Sequence, residues 1–291
     1  MYSIDQLKFL VCAVDKGSFS AAARHLGRAQ SAISQGIANL EIDMGLQLFD
    51  RSTRKPHLTV EGQRLLEYAR AALQQMDELE AAAQSVRRGE EAVLRIALDD
   101  SLFLPAFGAI CARFAEQFPN TELDLRAMAA PDVNRAVLSG SVDLGLSYSE
   151  VDMDSRLNLC FIGNLPFVVV CATNYPLSDL SSIATRDLLS SRQLLLKGSS
   201  GMVEKHWPQL SAQVLWSSSF FGLREMALAG LGWTYLPLHM VEDLVADRRL
   251  HQLKVDFDHR PWSPPVELVL PKSMQIGPAL EWLHEALKQL L

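Results

Sequence analysis

No run of apolar residues in the 291-residue chain approaches the length of a membrane span. The longest, such as LPFVVVCA at 165–172, fall well short of the ~20 residues that cross a bilayer. No membrane partner is expected. The opening residues, MYSIDQLKF, lack a basic segment leading into an apolar one, so no secretory signal is expected either. Cysteine is scarce, with Cys12, Cys111, Cys160 and Cys171 forming no CxxC pair. In a chain of this size that argues against a disulfide framework and points to a reduced, cytoplasmic protein. The seven histidines show no HxxxH spacing and no Cys/His metal spacing. GLGWTY at 230–235 lacks the third glycine of a dinucleotide loop and leads into a strand pattern rather than a helix. GSSG at 198–201 is one residue short of a nucleophile elbow. No carboxylate pair is marked by spacing for acid–base work. No metal, no cofactor and no catalytic residue is therefore expected.

What is present is a chain 48% hydrophobic and 21% charged, long enough for about two domains with sizeable cores. Its formal net charge of −7 argues against a protein that coats nucleic acid along its whole surface. The charge is uneven, however. Residues 1–64 carry eight Lys/Arg against six Asp/Glu, so the acidity lies in the remainder. Such asymmetry permits a nucleic-acid-binding end on an acidic body.

The segment GSFSAAARHLGRAQSAISQGIANLE (17–41) packs two helical patterns around Gly27. A first helix over 4–16 places Leu7, Leu10, Val11 and Val14 on one stripe. Gly17 ends it, and Ser18 is placed to cap a short second helix with Phe19, Ala22, Ala23 and Leu26 inward. After Gly27 a third helix, about 29–41, buries Ile33, Ile37 and Leu40. Its opposite face presents Gln30, Ser31, Ser34, Gln35 and Ala38. A helix that enters a DNA major groove needs small residues for close approach and short polar groups for base edges. Residues 28–40 also hold no acidic side chain that phosphate would repel. A core helix with a solvated polar side gives the same pattern. Two neighbours favour the groove: a helix and glycine turn precede it, as in a helix-turn-helix. LFDRSTRKPHLT follows, with Arg51, Arg54 and Lys55 on a wing-like turn suited to gripping phosphates.

Residues 59–88 read as one long helix that Thr59 can cap. Leu65, Ala69, Ala72, Met76, Leu79, Ala83 and Val86 recur at alternating spacings of 4 and 3. This is a heptad-type seam that calls for a partner helix, from a second copy or from the same chain. RRGEEA at 87–92 then breaks the period. From residue 93 strand and helix patterns alternate. VLRIAL, TELDLRA, DLGLSY, PFVVVCA, RQLLL, QVLWS and GWTYLP read as strands. The expectation is an α/β architecture with mainly parallel sheets. GPALEWLHEALKQLL closes the chain as an amphipathic helix with Leu280, Leu283, Leu287 and Leu290 inward.

The order of these parts resembles the LysR-type transcriptional regulators over nearly the whole chain. The most specific portion is FSAAARHLGRAQSAISQGIANLEIDMGLQLFDRSTRKPHLTVEG. Gln30, Ser31, Ala32, Ile33 and Ser34 match the family's recognition helix. Leu40–Glu41, Gly45, Leu48–Phe49, Arg51, Arg54, Leu58–Thr59 and Gly62 continue the pattern. NTELDLRAMA, SGSVDLGLSY and MALAGLGWTYLP look like its effector domain. The resemblance implies a multidomain chain: an all-α winged helix-turn-helix over 1–58, a linker and dimerisation helix over 59–88, and a hinge over 89–92. A two-lobed α/β effector domain of the periplasmic-binding-protein type 2 kind would fill 93–291. Lobe I would take 93–163 and 266–291, and lobe II 164–265. Such proteins bind promoter DNA as dimers of dimers, meet RNA polymerase there, and respond to a small-molecule effector between the lobes. The implied DNA contacts are Gln30, Ser31, Ser34, Gln35, Arg51, Arg54 and Lys55. Two positions depart from the pattern: Gln35 and Gly36 stand where Arg and Gln are common. Gln offers adenine two hydrogen bonds. Gly36 costs the helix about 1 kcal/mol against Ala.

In open α/β sheets ligands bind beyond the carboxyl ends of strands, often at helix N-termini. That rule selects Asp99, Asp100 and Ser101 after VLRIAL, and Ser147, Tyr148 and Ser149 at the end of DLGLSY. In the other lobe it selects Ser199, Ser200 and the helix start Ser219–Phe220–Phe221. The candidate effector contacts are Asp100, Ser101, Leu102, Ser147, Ser149, Ser199, Ser219 and Phe220. In the resembled family, positions like Ser101, Ser147 and Ser219 often contact effector. The same serines read equally as helix caps and turn residues. Free N–H groups favour a carboxylate effector, whereas Asp99 and Asp100 in the cleft would favour an amine. Phe220, Phe221 and Trp233 are candidate apolar walls. The competing reading is a solute-binding or enzymatic α/β protein whose N-terminal helices are an oligomerisation arm.

Overall fold

The structure, a computed structural model, describes residues 2–52, 57–149, 154–199, 201, 203, 209–257 and 259–291. Arg54, Lys55 and Ser200 lie outside the described residues. The chain divides into two compact units, Met1–Arg87 and Arg88–Leu291.

The first unit is built from α1 (Ile4–Asp15), α2 (Phe19–Leu26), α3 (Gln30–Met44), the short strands β1 (Phe49–Asp50) and β2 (His57–Leu58), and α4 (Val60–Arg87). Local chemistry sets its boundaries. Ser3 and Gln6 form a reciprocal capping box at the start of α1. The Ser18 hydroxyl accepts from the Ala21 amide at 3.1 Å and opens α2. Gly27, at φ +62°, takes the left-handed turn that lets α3 leave at an angle. Thr59 caps α4 by accepting from the Gly62 amide at 2.9 Å. Leu10, Ala22, Ile33, Ile37, Leu40 and Leu48 have no solvent exposure and form the core. The seam on α4 has two parts. Leu65 and Ala69 pack into this core beside Leu66, whereas Met76, Leu79 and Val86 face outward, Leu79 with 61% and Val86 with 77% exposure.

The second unit runs β3 (Val93–Asp99), α5 (Pro105–Gln117), β4 (Glu122–Met128), α6 (Ala130–Leu138), β5 (Leu144–Tyr148) and β6 (Leu157–Asn164). It continues with β7 (Phe167–Ala172), α7 (Thr185–Leu189), β8 (Gln193–Leu196), β9 (Val214–Ser217), α8 (Phe220–Leu228) and β10 (Thr234–Pro237). It ends with α9 (Glu242–Ala246), β11 (Leu250–Gln252), β12 (Pro265–Pro271) and α10 (Pro278–Leu287). One lobe holds a five-stranded sheet in the order β4-β3-β5-β12-β6. The other holds the sheet β10-β7-β11 and the pair β8-β9. The chain leaves the five-stranded sheet at Asn164 and re-enters it at Pro265, the two residues being register partners. Leu280, Leu283, Leu287 and Leu290 of the last helical segment are buried as its spacing predicts.

The expectation of mainly parallel sheets is corrected. Among the described residues, parallel pairing joins β3 to β4, β3 to β5 and β8 to β9. β12 runs antiparallel to both β5 and β6, and β7 antiparallel to both β10 and β11. The reason is topological. A helical crossover returns the chain parallel, but β12 arrives directly from the other lobe and enters in the opposite sense. β6, β11 and β12 were not anticipated as strands. No helix among the described residues is long and apolar enough to cross a membrane.

Candidate nucleic-acid interface and effector cleft

α3 sits in the first unit with its apolar side, Ile33, Ile37 and Leu40, wholly buried. Gln30, Ser31 and Gln35 are exposed and Ser34 is half-buried, so the structure gathers these four on one outward face. Gln35 donates to Asn39 Oδ1 at 2.9 Å, one turn along, which holds its amide along the helix. Gly36 has a packing reason. A Cβ there would lie 2.4 Å from a ring carbon of Phe9, so the bare backbone is what lets α1 close on α3.

Arg51 follows β1. Its guanidinium donates to Glu41 Oε2 at 2.8 Å and lies 5.9 Å above the Phe19 ring. It is therefore not the free cation that a charge on a loop suggests. Glu41 is a residue that reasoning from side-chain type missed. It appeared only as half of the Leu40–Glu41 pair within a matched pattern, and its contacts lie seven to ten positions ahead in the chain.

In the second unit the candidate effector residues fall into two sets. Asp99, at the end of β3, is fully buried. One oxygen accepts from the Ser101 amide at 3.0 Å and, in a very short contact, from the Ser101 hydroxyl. The other accepts from the Ala130 amide at 2.9 Å, at the start of α6. The Ser101 hydroxyl also meets the Tyr148 hydroxyl at 2.5 Å. Burial, reinforced by the charge of Asp100, pushes the Asp99 carboxyl up to about 7 against these hydrogen bonds. Ser101, Leu102, Ser147 and Phe220 are likewise buried, and the Ser147 hydroxyl is turned to the Ala130 carbonyl at 3.4 Å. Ser101, Leu102 and Ser147 have no exposed surface in this arrangement, and Phe220 only 1%.

The second set bridges the lobes or lies at their edge. Asp100 accepts from the amides of Phe220 at 3.0 Å and Phe221 at 3.2 Å, so it occupies the N-terminus of α8. Burial raises its carboxyl, with the two amides acting against that shift. Ser199 donates through both amide and hydroxyl to Asp132 of α6, at 2.6 and 2.9 Å. Ser149 donates to Glu267 at 2.6 Å. Ser219 is the N-cap of α8, its hydroxyl accepting from the Gly222 amide at 3.0 Å. Burial likewise lowers the imidazole of His239, with Glu242 and the Ser101 backbone acting the other way.

The aromatic wall is redrawn. Phe220 packs on Phe167 at 5.5 Å and Phe167 on Tyr148 at 5.7 Å, a stack of rings that joins the lobes. Phe221 is 56% exposed. Trp233 is buried in a separate core, donating to the Leu188 carbonyl at 3.2 Å. The partners Asp132 and Glu267 were also missed. Asp132 sits in the first turn of α6, the place where a carboxylate suits the helix, and that position was the available signal. Two cavities of about 480 and 450 Å³ lie elsewhere, one beside β7 and the loop after β11, the other between α5 and α10.

A helix-turn-helix with a wing, followed by two α/β lobes facing each other across polar strand ends, defines a ligand-responsive DNA-binding regulator. Residues 4–63 match the family model described as a bacterial regulatory helix-turn-helix protein of the lysR family. Residues 87–291 match the LysR substrate binding domain. The chain belongs to the LysR family and is a transcriptional regulator with an effector-binding domain, not an enzyme. It is 28% identical to the HTH-type transcriptional regulator AceR of Acinetobacter baumannii, over 98% of this chain and 96% of that protein. Among solved structures, HinK, a LysR family regulator from Pseudomonas aeruginosa, matches with a TM-score of 0.52 and 22% identity, covering 100% of this chain and 99% of that one. CrgA from Neisseria meningitidis matches with a TM-score of 0.50 and 24% identity, covering 99% and 98%. LysR regulators bind promoter DNA and small-molecule effectors and oligomerise.

Proposed function

We propose that the outward face of α3 enters the major groove, with Gln30, Ser31, Ser34 and Gln35 meeting base edges and Arg51 meeting backbone phosphate. Arg54 and Lys55 extend the phosphate grip. The observation that carries this reading is the division of α3 itself. Its apolar side is spent on the core, and its small polar side is left outward with no acidic group among the four. The outward seam from Ala72 to Val86 on α4 pairs with a second copy, and pairs of dimers occupy the promoter. In this reading the chain comprises a DNA-binding domain over 1–58, a linker over 59–88, a hinge over 89–92, and lobes joined near Asn164 and Val266. The protein works in the cytoplasm, where promoter DNA and RNA polymerase are its partners.

A small organic effector binds between the lobes. Asp100, Ser149, Ser199 and Ser219 retain exposed surface and make the direct contacts. Ser101, Leu102, Ser147 and Phe220 shape the floor and come into reach as the lobes part. The test is to map the DNA bound across the genome, then titrate the full chain with a recovered duplex over a range of salt. Affinity that falls steeply as salt rises supports the reading, because phosphate contacts release counterions. Binding that ignores salt refutes it.

A further inference from the structure

Glu41 stands near the carboxyl end of α3, where the helix dipole disfavours an acidic side chain. Its environment accounts for it. One carboxylate oxygen accepts from the amides of Leu48 at 2.8 Å and Phe49 at 3.0 Å, where the chain enters β1. The other accepts from Arg51 Nη2 at 2.8 Å. The Glu41 side chain is 13% exposed while that of Arg51 is 45% exposed. One carboxylate thus ties the proposed reading helix to the start of the wing and also to the wing's first cation. A third element completes the hold. The Arg51 guanidinium lies over Phe19, the first residue of α2, and Phe19 packs edge-on against Phe49 at 5.0 Å. A guanidinium carries five N–H donors in a rigid plane, so donors remain for phosphate after Glu41 takes one.

We infer that Glu41 is a positioning residue for DNA binding: it sets the wing against α3 and holds the Arg51 guanidinium in the orientation that meets phosphate. This rests on the reading that α3 and the wing contact DNA. Its physical content is preorganisation. A long side chain fixed on folding has less freedom to lose on binding. Glu41 also lowers the net positive charge beside the duplex, so a purely Coulombic role for the wing would place no carboxylate there. Holding the cation in register favours the cognate docking geometry over loose attraction to any duplex.

The test uses the full chain, a duplex recovered from its own genomic sites, and a mixed-sequence duplex of equal length. Glu41→Gln keeps an acceptor for the Leu48 and Phe49 amides and removes the charge that holds Arg51. It is expected to lose roughly tenfold in affinity for the cognate duplex, the size of one coupled charged contact. Its salt slope stays unchanged, because Arg51 keeps its charge. Arg51→Ala should reduce the salt slope by about one. In the Arg51→Ala background, adding Glu41→Gln should then cost nothing further. A merely structural Glu41 predicts the same loss with or without Arg51, and that outcome overturns the inference, as does unchanged binding by Glu41→Gln. Arg51→Lys provides a variant that leaves the Glu41 bonds to the backbone in place. It keeps the charge and slope but loses the planar fork, so a similar loss of cognate affinity supports the inference and full affinity overturns it. If wild type and Arg51→Ala share one slope, it is the wing's contact with phosphate that fails.

Discussion

Replacing Asp100 with alanine would leave the amides of Phe220 and Phe221 without their carboxylate. A hydrogen bond to a charged group contributes about 1.5–3 kcal/mol, and a buried donor left unpaired costs about 1–3 kcal/mol. The two amides differ. Phe220 is 1% exposed, so its amide has little access to water, whereas Phe221 is 56% exposed and water can replace the lost acceptor. Removing Asp100 also removes a carboxylate that burial disfavours and that raises its neighbour Asp99. The balance is a local loss of about 1–2 kcal/mol, a factor of about 5–30 in the opening equilibrium. Amide hydrogen exchange reads that directly, since protection at α8 reports its local opening. The first turn of α8 should exchange about 5–30 times faster. Asp100→Asn, which keeps one acceptor oxygen, should fall between variant and wild type. Unchanged protection at Phe220 would refute the claim that this carboxylate holds α8 to the other lobe. An even loss across β6 and α10 would mean general destabilisation instead.

The titration of Asp99 makes stability depend on pH with a defined sign. Its folded value is raised from 3.8 to about 7, so the folded chain keeps a proton that the unfolded chain gives up. Stability is greatest below the unfolded value and is lost as pH rises towards about 7. Denaturant melts of Asp99→Asn should show a weaker decline than wild type between those limits, and parallel curves would contradict it. Ser34→Glu should abolish duplex binding by setting a carboxylate against DNA, checked by fluorescence anisotropy; wild-type affinity would remove this face from the interface. Leu79→Asp alters a side chain 61% exposed, so folding should persist while sedimentation shows loss of dimers. Gly36→Ala adds a methyl where Phe9 already lies at 2.4 Å. Overpacking of about 1–3 kcal/mol should outweigh the ~1 kcal/mol gain in helix propensity. Thermal melts should therefore drop, and Phe9→Ala should restore the variant.

Much of the first unit was legible along the chain because its determinants are local. Ser18, Gly27 and Thr59 act on amides or turns within a few residues of themselves, and the buried stripe of α3 follows from the helical period. The strands with compact apolar runs, β3, β5 and β7 among them, were legible for the same reason. β6 was not, since LNLCFIGN buries its residues irregularly along an edge. β11 pairs over only three residues. Arg51 read as a free phosphate grip until its partner ten positions back came into view. Nothing along the chain links Asp100 to the amides it accepts from, 120 and 121 positions away.

The amino-acid order alone determined the helix-turn-helix, its outward polar face, the seam on α4 and the alternation of strands and helices. Each of these arises from neighbours a few residues apart, whose periodicity and capping chemistry need no distant partner. Only the tertiary structure decided which charges are free and which are committed. Asp99, Asp100, Asp132 and Glu41 are all acidic residues near helix ends, alike in sequence. What separates them is the donors that folding brings to each, because the energy of a charge depends on its surroundings in space rather than its place in the chain.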